Sequence, residues 1–133
     1  MPFIRIAVAG RSLAAEQIAA LQEQTTGLMV DVLGKRREVT VVAVDTFEAR
    51  FWSSGGLPLG GDGRCAQMEA FITAGTNTLP EKQSFLAAAH RTLSAILGAA
   101  DAPVYVVIHE LPASDWGFDG VSQAARREAA LAT

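Results

Sequence analysis

Residues 48–56 read EARFWSSGG, and residues 113–121 read ASDWGFDGV. Each segment follows a β-branched, apolar run (Val39–Val44 and Val104–Leu111) and sets a tryptophan just ahead of a glycine. Working backwards from these turns, the pairs Trp52/Trp116, Gly56/Gly120 and Gly34/Gly98 all share one sequence interval. Gly10 and Gly75 are one place further apart, which reads as a one-residue difference early in the unit. A long stretch that recurs at a fixed interval is the signature of a duplicated supersecondary unit.

Each unit reads as β-α-β. In the first, Phe3–Val8 is a short apolar run bounded by Gly10, as a buried strand would be. Ser12 is placed to cap a helix whose apolar stripe is Ile18, Leu21, Leu28 and Val32, and Gly34 suits the left-handed position that ends it. Val39–Val44 is the returning strand. In the second, Met68–Thr73 is the strand, Thr78 and Glu81 form a capping box, and Leu86, Ala89, Leu93, Ile96 and Leu97 line a helix that stops at Gly98. Strand–helix–strand crossovers make parallel pairs. The expected fold is therefore α+β: four strands in one mixed sheet, with two helices on one face.

The units span about 1–56 and 66–120, joined by the glycine-rich linker SSGGLPLGGDG at 53–63. No Gly-Lys-Ser/Thr follows those glycines, so the linker is not a phosphate-binding P-loop. The tail SQAARREAALAT reads as a short helix or a frayed end. The strands are apolar at most positions, which suits burial on both faces, and two helices cannot cover both. Self-association through the uncovered face is the economical solution.

The totals narrow the function. A chain of 133 residues with a net charge of -3 lacks the basic surface of a nucleic-acid-binding protein. No apolar run reaches the roughly 20 residues of a membrane span, and the start has no signal-peptide pattern. Cys65 is the single cysteine, and neither His90 nor His109 sits in a cluster with metal-ligand spacing. A cytoplasmic protein without metal or cofactor is expected.

The duplicated unit, Pro2 behind Met1, Gly10-Arg11-Ser12 after the first strand, and the two Trp-Gly turns together resemble the tautomerase superfamily. The likeness is to a fused form of the 4-oxalocrotonate tautomerase building block. It implies a tautomerase or MIF-like fold, a homotrimer, and a small enol or 2-keto acid as substrate. It also implies that loss of Met1 turns Pro2 into an N-terminal secondary amine that serves as general base. Arg11 would then hold a substrate carboxylate, and Trp52 or Trp116 would wall the site. Tyr105 falls where an arginine is expected and would offer a hydrogen bond.

His109 is a weaker acid–base candidate, with Asp45 and Glu110 near it in the pattern. Val41 also replaces an expected arginine, and FITAGTNT (71–78) lacks the arginine pair of dehalogenating and decarboxylating relatives. Arg36, Arg37 and Arg64 are the cations left to substitute. The alternatives to tautomerisation are hydration, dehalogenation or decarboxylation on the same fold, or an inactive trimeric scaffold.

Overall fold

The computed structural model describes residues 2–10 and 12–132. The chain forms β1 (Phe3–Ala9), α1 (Ala15–Asp31), β2 (Val41–Phe47) and a hairpin of β3 (Ser53–Ser54) and β4 (Leu57–Pro58). It continues with β5 (Cys65–Thr73), α2 (Leu79–Leu97), β6 (Tyr105–Leu111), a second hairpin of β7 (Gly117–Phe118) and β8 (Val121–Ser122), and α3 (Gln123–Leu131). Among the described residues, no helix is long and apolar enough to cross a membrane.

The strand order is β2-β1-β5-β6. Each half contributes a parallel pair, β1 with β2 and β5 with β6, and the halves meet through antiparallel β1 and β5. The repeat survives at the level of register: Phe3 lies opposite Val41, and its repeat equivalent Gln67 lies opposite Tyr105, the equivalent of Val41. The helix starts, the hairpins and the ends of β1 and β5 all keep the interval of the tryptophans. The expected one-residue length difference is thus absent; Gly75 sits one place later within a turn of equal length. Gly10 is held where it is by space. Its φ is +105°, and a Cβ there would meet the Gly63 carbonyl oxygen at 1.8 Å.

The two halves fill one core. Ile4, Ile6 and Val8 alternate along β1, and Met68, Ala70 and Ile72 along β5; all are buried against the helices. From α1 the buried line is Leu21, Thr25 and Met29; from α2 it is Phe85, Ala89 and Leu93. These triplets are equivalent in the repeat and follow the i, i+4 spacing that stacks side chains along one helix face. Leu86 sits one residue off the line and is 37% exposed, so Phe85, not Leu86, anchors α2. Burying such a side chain contributes about 1.5–3 kcal/mol.

The helix ends differ. At α2, Thr78 Oγ1 accepts from the Glu81 N–H at 3.3 Å, and Glu81 Oε1 accepts from the Thr78 N–H at 2.7 Å, completing the capping box. At α1 the cap position is Ala14, not Ser12, and only the returning bond exists: Ala14 N–H donates to Gln17 Oε1 at 2.9 Å. Ser12 lies two residues too early to reach the free amides of the first turn. Gly34 and Gly98 do adopt positive φ, +68° and +84°.

The linker is more ordered than its composition indicates. It folds back as the β3–β4 hairpin over Gly55 and Gly56, repeating β7–β8. The tail forms α3, started by Ser122 Oγ accepting from the Ala125 N–H at 3.1 Å.

The sheet face away from α1 and α2 departs from the apolar expectation. Its middle carries a charged row across all four strands: Asp45, Arg5, Glu69 and His109. Arg5 pairs with Asp45 at 3.6 Å, and His109 Nε2 meets Glu69 Oε1 at 2.9 Å. Arg5 and Glu69 are equivalent positions of the repeat, as are Asp45 and His109, so the duplication reproduces the geometry with altered charges. Alternation along each strand places these side chains on the open face while the apolar partners fill the core.

Candidate functional site

Pro2 immediately precedes β1. Lacking an amide proton, it cannot donate to the ladder, and the strand begins at Phe3. Its carbonyl accepts from the Val41 N–H at 3.4 Å, which ties it to β2. The residue is buried, and it lines a cleft of about 340 Å³. The walls are Phe3, Val39, Val41, Phe71, Trp116 and Phe118. Arg5 is the ionisable residue among the described ones on this cleft. Its ion pair with Asp45 is half exposed at both ends, a weak attachment that leaves the guanidinium available.

Trp116 is fixed from two sides. Its Nε1–H donates to Thr73 Oγ1 at 3.1 Å, and its carbonyl accepts from the Gln123 N–H at 2.9 Å. Phe71 stacks on His109 with ring centroids 4.5 Å apart, joining this cleft to the charged row.

A second cleft, about 470 Å³, occupies the equivalent place in the other half. Its walls include Trp52, Ser53, Ser54, Ala66, Gln67, Pro103 and Tyr105. Each is the repeat equivalent of a wall of the first: Trp116, Gly117, Phe118, Pro2, Phe3, Val39 and Val41 respectively. Duplication has therefore produced two clefts of one design, and Ala66 stands where the first has Pro2.

Of the residues singled out from sequence, Pro2 and Trp116 come together in one cleft, while Trp52 and Tyr105 share the other. Arg11 lies outside the described residues. His109 belongs to the charged row and lines neither cleft. Arg36 and Arg37 pair with Glu38 and Glu23, and Arg64 donates to the Leu97 carbonyl at 3.2 Å; none lines the Pro2 cleft.

Phe71, Phe118 and Arg5 were not picked out. Arg5 was findable from alternation, since it shares a strand face with Phe3. Phe118 was findable from its place two residues beyond Trp116 in the turn.

Other titratable groups are engaged elsewhere. Glu110 makes a short contact with Lys82, 2.5 Å, and this bond holds its carboxyl below the usual range. Burial raises the Cys65 thiol, which keeps it protonated and unreactive.

The family model described as "Tautomerase enzyme" matches residues 2–61 and 71–126. "Probable tautomerase K2" of Dickeya dadantii (strain 3937) is 41% identical over 56 residues, covering 42% of this chain and 84% of that protein. Among solved structures, native fused 4-OT superposes with a TM-score of 0.79 at 24% identity, over 92% of this chain and 97% of that one. A fused 4-OT described as a symmetric trimer gives 0.82 at 20% identity, over 93% and 98%. A macrophage migration inhibitory factor-like protein from Entamoeba histolytica gives 0.74 at 16%, over 91% and 97%. The family match falls on both repeats and the fold is common to these structures: the chain belongs to the tautomerase family.

Proposed function

We propose that this protein is a cofactor-independent tautomerase whose Pro2, after loss of Met1, acts as general base on a small enol or 2-keto acid. The observation that carries this reading is the Pro2 cleft: apolar and aromatic walls, one cation, and no carboxylate or histidine among its described lining. An ordinary α-amino group titrates at about 7.7–8.0. Apolar walls and a neighbouring guanidinium both disfavour its protonated form and lower that value, bringing the free base into reach at neutral pH. Such an amine removes a proton beside a carbonyl and returns it to another carbon of the same conjugated system. Arg5, together with Arg11, pairs with the substrate carboxylate and the enolate charge that develops, a task suited to a planar guanidinium. Trp116 and Phe118 exclude water.

Hydration or hydrolytic chemistry would need a group that activates water. Of the candidates for that work, Glu110 is bonded to Lys82 and His109 to Glu69, and Asp45 is not among the described residues lining the Pro2 cleft. Tautomerisation requires none of them. In this reading the protein assembles as a homotrimer, which would cover the open sheet face.

The test couples intact mass to ketonisation of phenylenolpyruvate. The processed protein should lack Met1 and turn over, and Pro2→Ala should lose about 10²–10⁴-fold in rate, the usual worth of a positioned base. Undiminished turnover in Pro2→Ala would remove proline from the mechanism.

A further inference from the structure

Behind Phe118 lies a third cleft, of about 440 Å³, that the Pro2 chemistry does not use. Four of its lining residues are cations, Lys35, Arg36, Arg126 and Arg127, and none of its described lining residues is a carboxylate. The cations come from two places. Lys35 and Arg36 follow Gly34, in the turn just beyond α1; Arg126 and Arg127 lie on α3, where they share a face with Gln123 by i, i+3 and i, i+4 spacing.

This is a concentration of donors short of acceptors. Gln123 Nε2 and Arg126 Nε are both buried and find no hydrogen-bond acceptor among the described residues. Such a donor left unpaired is unfavourable, and the cleft beside it is open to an acceptor from outside. Arg126 is already oriented: its guanidinium lies 3.6 Å over the Phe118 ring, and it donates to the Phe118 carbonyl at 3.0 Å. Lys35 Nζ donates to Thr76 Oγ1 at 2.9 Å, which holds it at the rim. Burial lowers the Lys35 pKa, against the opposing pull of Glu81 and Glu110. Among the described residues, Arg36 alone of the four is within ion-pair range of a carboxylate, Glu38 at 2.8 Å, and Arg127 has none.

The repeat shows that this cleft is not a by-product of duplication. The positions equivalent to Lys35, Arg36 and Arg37 are Ala99, Ala100 and Asp101. Those three positions of the second half carry no cation, with Arg64 alone standing near Ala99 and Ala100, and the first half contains no helix equivalent to α3.

We propose that this cleft binds a small oxyanion, the carboxylate or phosphate group of a small molecule, at a site separate from Pro2. Guanidinium groups and a side-chain amide match the several acceptors of such a group. The size fits a small molecule rather than a polymer. A chain of net charge -3 gives no long-range attraction to a polyanion, so the positive field is local to the cleft.

The test is binding of two probes, inorganic phosphate and succinate, titrated separately into the full-length protein at low salt and followed by NMR. We expect saturable shifts of the Gln123 side-chain amide with at least one probe, weakening as salt is raised. Arg127→Ala and Lys35→Gln should each weaken binding about tenfold, or about 1.4 kcal/mol. Arg127 is exposed, so its variant decides the matter even if Lys35→Gln fails to fold. Saturation by phosphate alone identifies a phosphate group, and by succinate alone a carboxylate. Failure of both probes to saturate, a Gln123 amide that does not move, or undiminished binding to Arg127→Ala would each overturn the site. None of these readouts depends on turnover at Pro2.

Discussion

The two duplicated clefts share backbone, register and tryptophan, yet differ in the atoms that chemistry would use. Where one has Pro2, the other has Ala66; where one has Val41, the other has Tyr105. Their tryptophans are held differently too. Trp116 donates to Thr73 Oγ1, whereas the residue equivalent to Thr73 in the first half is Ala9, which offers no side-chain acceptor. Trp52 instead packs against Phe47, with centroids 6.3 Å apart. Duplication copied a scaffold, and the proposed base, Pro2, stands in one copy alone.

Beyond Pro2→Ala, the largest effect expected from this comparison tests whether only one cleft works. Trp116→Ala should lower kcat/KM for enol ketonisation about tenfold, a loss of about 1.4 kcal/mol in transition-state stabilisation. Trp52→Ala should stay within about twofold, by the same measure. Equal losses in the two variants would mean that the second cleft also takes part.

Much of this was readable from spacing. The shared interval of Gly34/Gly98, Gly56/Gly120 and the tryptophans locates both crossovers and the turns that follow them, because these residues occupy positions that backbone shape and packing dictate. It does not show that the 53–63 linker folds back as a hairpin. The pairing of the halves was less visible. The antiparallel β1–β5 contact depends on which strand edges remain free after each parallel pair forms, and no local pattern records that. The same holds for the clefts. Trp52, Tyr105, Trp116 and Pro2 all stood out as residues, but their division into two sites follows from β2 and β6 lying at opposite sheet edges. The anion cleft was hidden for a further reason. Lys35 and Arg126 are far apart in sequence, and the tail gave no signal of where α3 would dock.

A second break in the symmetry lies in the core. Thr25 and Ala89 are equivalent and both fully buried, but Thr25 Oγ1 has no hydrogen-bond partner among the described residues. A hydroxyl buried without a bond carries a desolvation penalty that its apolar counterpart avoids. Thr25→Val keeps the shape and removes the hydroxyl, and should raise stability by about 1 kcal/mol, read from the urea midpoint at unchanged slope. A loss of stability would show that the hydroxyl is satisfied in solution.

The smallest effect concerns the helix caps, where the halves differ by one ionisable group. Gln17 and Glu81 are equivalent and both accept from the backbone N–H of their cap residue, but only Glu81 titrates. Hydrogen bonds from Thr78, backbone first and side chain second, lower the Glu81 pKa in the folded chain. A folded-state pKa below the unfolded one stabilises the protein above the unfolded value, and that contribution is lost as pH falls through the folded value. Glu81→Gln keeps an acceptor at the cap, as Gln17 does in α1, but removes the titration. The variant should be slightly less stable than the parent at neutral pH, and the two thermal midpoints should converge in acid. A gap that persists unchanged at low pH would assign the difference to packing around the cap rather than to the charge of Glu81.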